Sequence, residues 1–306
     1  MSERRLGTRE IVSRAWRAGL AVPAFNIPYL PMMKPVVDAL ADSGCFGLIA
    51  VARLEWVKFE ARSLEAVRDE YERAKDERFT RLHLDHVPVI DEDGLAVDYE
   101  ADIARAMELG YQSVMVDGSR LPLEGNIRAT RGVVELSRAS GVPVEGELGA
   151  VFGHEAGPLP PYEQLLASGK GFTDPAEARR FVGETGVDWL SVAVGNIHGA
   201  ISSAARDTAK TEARLDIAHL KLIRDAARVP LVLHGGTGVR REYLRDAVRN
   251  GIAKINVATA IRQPYERAKA VSESAARRAV YDAALAVIND ELAVANSASI
   301  LCPEGP

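Results

Sequence analysis

Val229-Pro-Leu-Val-Leu-His234 is a short apolar run that stops on a histidine. A run of this length closed by a polar residue reads as a buried parallel strand ending at a functional edge. The pattern recurs upstream in Arg81-Leu-His-Leu-Asp-His86 and in Trp189-Leu-Ser-Val-Ala-Val-Gly-Asn-Ile-His198. Working outward from these three, the chain offers eight strand ends, near Asn26, Ala52, His86, Asp117, Glu147, Gly195, His234 and Asn256. Most successive ends lie about thirty residues apart, the length of a strand plus a crossover helix. Amphipathic segments such as 177–184 and 217–224 fill the intervals. Repeated β-α units call for a parallel sheet, and eight of them for closure. The expected fold is α/β: one (β/α)8 TIM barrel over about residues 20–262, with extra C-terminal helices to about residue 300.

Local punctuation agrees. Thr173-Asp174-Pro175-Ala-Glu177 supplies a cap, an N-terminal proline and an early acid, as a helix start requires. Gly110, Gly141 and Gly186 each fall where a helix should close before the next strand. Two stretches exceed a minimal unit, Gly149 to Gly171 and Gly199 to Ala213, and are expected to be long loops, either disordered or functional.

Composition narrows the function. The 306 residues carry 38 basic and 43 acidic side chains, net −5, with no basic stripe interleaved with aromatics, so nucleic acid is excluded as the expected partner. The two cysteines, Cys45 and Cys302, form neither a disulfide framework nor a metal-type pair, which fits a reducing cytoplasm. The charged start lacks an apolar signal core, and no stretch approaches the roughly 20 apolar residues of a membrane span, so the expectation is a soluble protein without a membrane partner.

In a closed barrel the active site lies at the carboxyl ends of the strands. Those ends collect Asn26, Arg53, Asp85, His86, Asp117, Glu147, His198, His234 and Asn256, nearly every residue type that metal and acid-base chemistry needs. Three neutral imidazoles with an open fourth position make a catalytic zinc arrangement. Taken singly, each histidine is equally a residue at a loop start, and Asp85 equally a helix cap. Strict alternation would point Asp85 and His86 to opposite sides, so the third strand is expected to stop there, before Val87-Pro88. The glycine-bearing segments Gly195-Asn-Ile-His-Gly199 and His234-Gly-Gly-Thr-Gly238 can form anion nests, and barrels commonly bind phosphate after strands seven and eight.

These residues make the chain resemble the class II, metal-dependent fructose-bisphosphate and tagatose-bisphosphate aldolases. The resemblance runs from about Ala24 to Arg262. It is carried by His83-Leu-Asp-His86, Ser113-Val-Met-Val-Asp-Gly-Ser119, Glu145-Gly-Glu-Leu-Gly149, Thr173-Asp-Pro175 with residues 187–199, Leu233-His-Gly-Gly-Thr-Gly238 and Lys254-Ile-Asn-Val-Ala-Thr259. It implies a lyase that cleaves a ketose phosphate or bisphosphate to a dihydroxyacetone-phosphate-like fragment through a metal-stabilised enediolate. It also implies that His86, His198 and His234 hold the divalent ion, zinc first. Asp85 is then the acid/base on the reacting hydroxyl. Asp117 and Glu147 are acids of a second or alternative cation position, which a monovalent ion could also use. Glu155 becomes a mobile-loop proton carrier and Asn256 a support for the enediolate. Gly199, Gly235, Thr237 and Thr259, with Gly236 beside them, become the phosphate grip, and Asn26 belongs to the same substrate-facing rim.

Departures from the family pattern bear on substrate. Ser202 stands where the family usually has a lysine, Arg53 where many members have a small serine, and the charged segment from Leu54 to Arg81 is atypical. Arg53 can meet a carboxylate or phosphate as a planar fork, and with Ser202 in place of the lysine fructose 1,6-bisphosphate is expected to be a poor or secondary substrate. His83, His154 and His219 are read as a strand neighbour, a mobile-loop residue and a helix-surface residue. Three other readings stay open: a Schiff-base aldolase using Lys254, a sugar-phosphate-binding barrel without catalysis, and a metal-dependent hydrolase. The hydrolase's usual His-x-His is absent, since Phe25-Asn26 stands at the first strand. Val280, Ala284, Ile288 and Leu292 recur at helical spacing, and a homodimer or homotetramer is expected from that stripe, with packing on the chain's own barrel as the alternative.

Overall fold

Eight parallel strands close on themselves in sequence order, so each strand pairs with its neighbours in the chain and the first with the last. The computed structural model describes residues 6–151, 161–197 and 213–303. The strands are β1 Val22–Asn26, β2 Gly47–Ala52, β3 Thr80–Pro88, β4 Ser113–Asp117, β5 Val144–Leu148, β6 Trp189–Val192, β7 Leu231–Leu233 and β8 Ile252–Val257. Each ends within three residues of the position read from its apolar run. That legibility has a cause: with helices on the outside and side chains filling the inside, both faces of every strand are covered, and the sequence stays apolar until the strand emerges. The chain is a TIM barrel.

The helices are α1 Thr8–Ala18, α2 Met33–Asp42, α3 Arg53–Val57, α4 Leu64–Ala74, α5 Tyr99–Glu108, α6 Leu123–Ser137, α7 Tyr162–Ser168, α8 Pro175–Thr185, α9 Ile217–Ala227, α10 Arg241–Arg249, α11 Thr259–Lys269, α12 Glu273–Ala286 and α13 Ala298–Leu301. Asp174 caps α8 as expected, its carboxylate accepting from the N–H groups of Ala176 and Glu177 at 2.8 and 2.9 Å. Gly186 closes the same helix in the left-handed region. Thr173, just before the cap, donates to the Leu148 carbonyl and accepts from the Ala193 N–H, pinning α8 to the ends of β5 and β6.

Three expectations need correction. The segment Gly149 to Gly171 is not all loop: it contains α7, whose Tyr162 hydroxyl donates to the carbonyls of Gly195 and Arg214. His219 is not a plain surface residue, since its Nε2 lies 2.8 Å from the Thr173 carbonyl and ties α9 to the α8 cap. The C-terminal stripe covers the chain's own barrel. Val280, Ala284 and Ile288 are fully buried and share one core with Val36 and Leu40 of α2, so their periodicity no longer argues for a second copy. The stretch Gly199 to Ala213 lies outside the described residues but for its last member. No helix among the described residues is long and apolar enough to cross a membrane.

Candidate active site

Strand alternation builds the site in layers. His83 and Asp85 on β3, Glu145 and Glu147 on β5, and Lys254 and Asn256 on β8 are pairs two residues apart, all buried at 6 % exposure or less. Residues two apart on a strand share a face, so each strand sends one member to a lower layer inside the barrel and one to its mouth. His83, Glu145 and Lys254 form the lower layer. Lys254 Nζ lies 2.8 Å from Glu145 and 3.8 Å from Asp85. His83 Nδ1 meets the Ser113 hydroxyl at 2.9 Å.

β3 does not stop at His86. It continues to Pro88, and its register against β4 shifts between Leu84 and Val87, where β3 advances by one residue more than β4. His86 sits at φ 29° inside this bulge. A bulge breaks the two-residue alternation, and so Asp85 and His86 face one site although they are adjacent in sequence.

Two overlapping groups result, Asp85 with His86 and His234, and His86 with Asp117 and Glu147, each with its donor atoms within 4.8 Å of one another. His234 Nδ1 and His86 Nε2 face each other at 2.5 Å. His86 Nδ1 is 3.2 Å from Asp117 and 3.8 Å from Glu147. Burial pushes the His86 imidazole down, but Asp85, Glu147 and Asp117 outweigh it and raise the ring far above its usual range. His234 moves the other way, lowered by burial and by His86. The two imidazoles thus face each other amid the carboxylates of Asp85, Asp117 and Glu147, a setting that favours positive charge. Glu147 is pushed up to about 8 by burial and by Asp117, and its Oε2 has no hydrogen-bond partner among the described residues. Convergent nitrogen and oxygen donors around a buried carboxylate oxygen that no hydrogen bond among the described residues satisfies fit a divalent ion of the zinc type.

The atoms around the pair are fixed in turn. His234 Nε2 lies 2.9 Å from Glu145 Oε1, and Glu145 Oε2 accepts from Lys254 at 2.8 Å, so a buried carboxylate orients the imidazole. Burial would raise the Glu145 carboxyl, but Lys254 and His234 hold it at about 2. Asp85 receives both asparagines: the amide of Asn26 donates to Oδ2 at 2.9 Å, and that of Asn256 to Oδ1 and Oδ2 at 2.9 and 3.0 Å. Burial opposes its charge, yet His86, His83 and Lys254 keep the carboxyl well below its ordinary value.

After β7, Gly235 and Gly238 take positive φ, and a side chain on Gly236 would collide with Ile255 at 2.6 Å, so this turn hugs β8 with bare backbone. Thr237 lies in that turn, and Thr259 opens α11, where unpaired N–H groups favour an anion. Arg53 opens α3 and lines the mouth, but its guanidinium lies 3.3 Å from Asp102 and 3.9 Å from Asp91. His154, Glu155, His198, Gly199 and Ser202 lie outside the described residues. Sequence reading passed over the lower layer of His83, Glu145 and Lys254 as a unit. It also left out Glu55, which reaches back to the Ala52 N–H at 2.8 Å, and Arg120, one residue beyond Ser119. The two-residue spacing of the first three was the signal available.

Comparison with known proteins now bears on this geometry. The family described as fructose-bisphosphate aldolase class-II matches residues 7–298. This chain belongs to that family. Among solved structures, the YdjI aldolase from Escherichia coli K12 is similar at 27 % identity and TM-score 0.75, covering 96 % of this chain and all of its own. A fructose-bisphosphate aldolase from Campylobacter jejuni shares the fold at 18 % identity and TM-score 0.70, with 94 % of each chain covered. The class II aldolase family makes the chain an aldolase, a lyase acting on a carbon-carbon bond, at low identity to these relatives.

Proposed function

We propose that this aldolase is metal-dependent and cleaves a ketose phosphate to an aldehyde and a dihydroxyacetone-phosphate-like fragment. The observation that carries the reading is Asp85: a buried carboxylate held by two asparagine amides and kept ionised by His86, His83 and Lys254, immediately beside the facing imidazoles of His86 and His234. His86 and His234, with His198 as the expected third ligand, would hold the ion, zinc first. Bound there, it supplies Lewis acidity for the negative charge that bond cleavage leaves beside the ketone.

The chain's own residues do the rest. Asp85 takes the proton of the hydroxyl next to the breaking bond. Asn26 and Asn256 hold its oxygens in place, so no rotamer search precedes the transfer. Gly235, Gly236 and Thr237 after β7, and Thr259 at the start of α11, seat the phosphate by backbone N–H groups and hydroxyls. Glu155 is assigned the return of a proton to the three-carbon fragment. Lys254 is a poor Schiff-base former: it is fully buried and ion-paired with Glu145, whereas a nucleophilic amine must be neutral and reachable.

The test is proton exchange on dihydroxyacetone phosphate together with retro-aldol cleavage of a ketose phosphate panel. Zinc-loaded protein is expected to do both and chelated protein neither. Asp85→Asn should retain metal and fold while cleavage falls by roughly a hundredfold or more. Undiminished turnover after metal removal, or borohydride trapping of substrate on Lys254, contradicts the proposal.

A further inference from the structure

We infer that Arg120 selects the acceptor half of the substrate and that this half ends in a carboxylate; the inference rests on the aldolase reading proposed above. A cavity of about 390 Å³ opens from the candidate metal site. Its walls come from the ends of β2 to β5, with Arg53, Glu92, Ser119 and Arg120 beyond the metal-site residues, and none comes from β7 or β8. In a closed ring of eight, β4 stands opposite β8. A substrate whose phosphate sits on the turns after β7 and β8 and whose ketone lies over His86 and His234 must therefore send its other end into this cavity.

Among the described residues of that wall, Arg53 and Glu92 are ion-paired and Arg120 is not. Arg53 is engaged by Asp102 and Asp91, and Glu92 by Lys58 at 2.7 Å. Arg120 is exposed and has no ion pair or hydrogen bond among the described residues. Its backbone is nonetheless fixed. Asp117 Oδ1 accepts from the Ser119 N–H at 3.0 Å and from its hydroxyl at 2.6 Å, and a side chain on Gly118 would strike Asn126 at 2.3 Å, so the turn is clamped onto α6. One uncompensated guanidinium matches a monoanion. A phosphate carries nearly two charges and three oxygens and would call for a second cation or a nest of N–H groups, and this wall instead carries the carboxylates Asp117 and Glu147. A planar fork and a carboxylate pair through two parallel hydrogen bonds.

Aldol addition of dihydroxyacetone phosphate to three aldehydes tests this in the zinc-loaded enzyme. Glyceraldehyde is neutral, tartronate semialdehyde replaces its terminal alcohol by a carboxylate, and glyceraldehyde 3-phosphate carries a dianion. The wild type should favour tartronate semialdehyde by kcat/KM. Arg120→Met should lower that preference over glyceraldehyde by at least about tenfold, mostly through KM, which is the loss expected when a hydrogen bond to a charged group is removed. Arg120→Lys, which keeps the charge and loses the fork, should fall between. A preference unchanged in Arg120→Met, or glyceraldehyde 3-phosphate favoured by the wild type, overturns the inference alone. Failure of the wild type to exchange the protons of dihydroxyacetone phosphate without any acceptor overturns the aldolase reading and this inference with it.

Discussion

Glu55 shows how one buried carboxyl reports on the mouth of this barrel. Burial raises it from 4.5 to about 8, an effect only partly offset by the N–H of Ala52 that it accepts. The folded chain therefore keeps a proton that the unfolded chain releases near pH 4.5, and stability from this group is present below that pH and lost as pH rises toward 8. Glu55→Gln, neutral at every pH, should flatten the fall in melting temperature between pH 5 and 8 relative to wild type; parallel curves would remove Glu55 as the cause. Such a residue is invisible in sequence, where Glu55 is one acid in a charged stretch. Asp85, His86 and His234 were legible because each follows an apolar run. The Glu145–Lys254 contact was not, because it joins residues 109 positions apart that only ring closure brings together. Arg53 drew notice by its place at a strand end, yet the acids that neutralise it lie on other segments.

At the scale of elements, periodicity tells what is buried and not what buries it. The α12 stripe reads equally well as an interface or as a lid on its own barrel, and the side chains of α2 decide for the barrel. Val280→Asp should cost roughly 3–5 kcal/mol, the scale of an uncompensated buried charge. Val271→Asp, two residues before α12 and 81 % exposed, should change stability by less than about 0.5 kcal/mol. Urea unfolding of the two variants checks the contrast, and equal midpoints would place the stripe outside the core. The β3 bulge marks the other limit of legibility. Alternation would point Asp85 and His86 apart, so the strand is expected to stop there, and no glycine announces the bulge that instead turns His86 to φ 29°.

For the whole molecule, the candidate metal ligands matter because they arise on β3, β4, β5 and β7, far apart in sequence. An unfolded chain cannot assemble them, so an ion that binds only the folded form stabilises it by mass action, about 2.7 kcal/mol at a hundredfold excess over Kd. Zinc titration should raise the melting temperature by several degrees in wild type and much less in His234→Ala, a readout independent of turnover. An identical response in both would exclude His234 as a ligand.

The proposed placement of a phosphate seat opposite an acceptor cavity also bears on how such enzymes diversify. On the proposed reading, donor recognition rests on turns packed against the neighbouring strand, where a side chain on Gly236 would collide with Ile255. Acceptor recognition, as inferred above, rests on side chains such as Arg120, which has no ion pair or hydrogen bond among the described residues. Drift in the gene can therefore rewrite one half of the mouth codon by codon while the other half is preserved, and descendants would inherit a common nucleophile with divergent tastes in aldehyde. Grafting the turn that follows β4 between relatives should transfer aldehyde preference without altering the three-carbon partner.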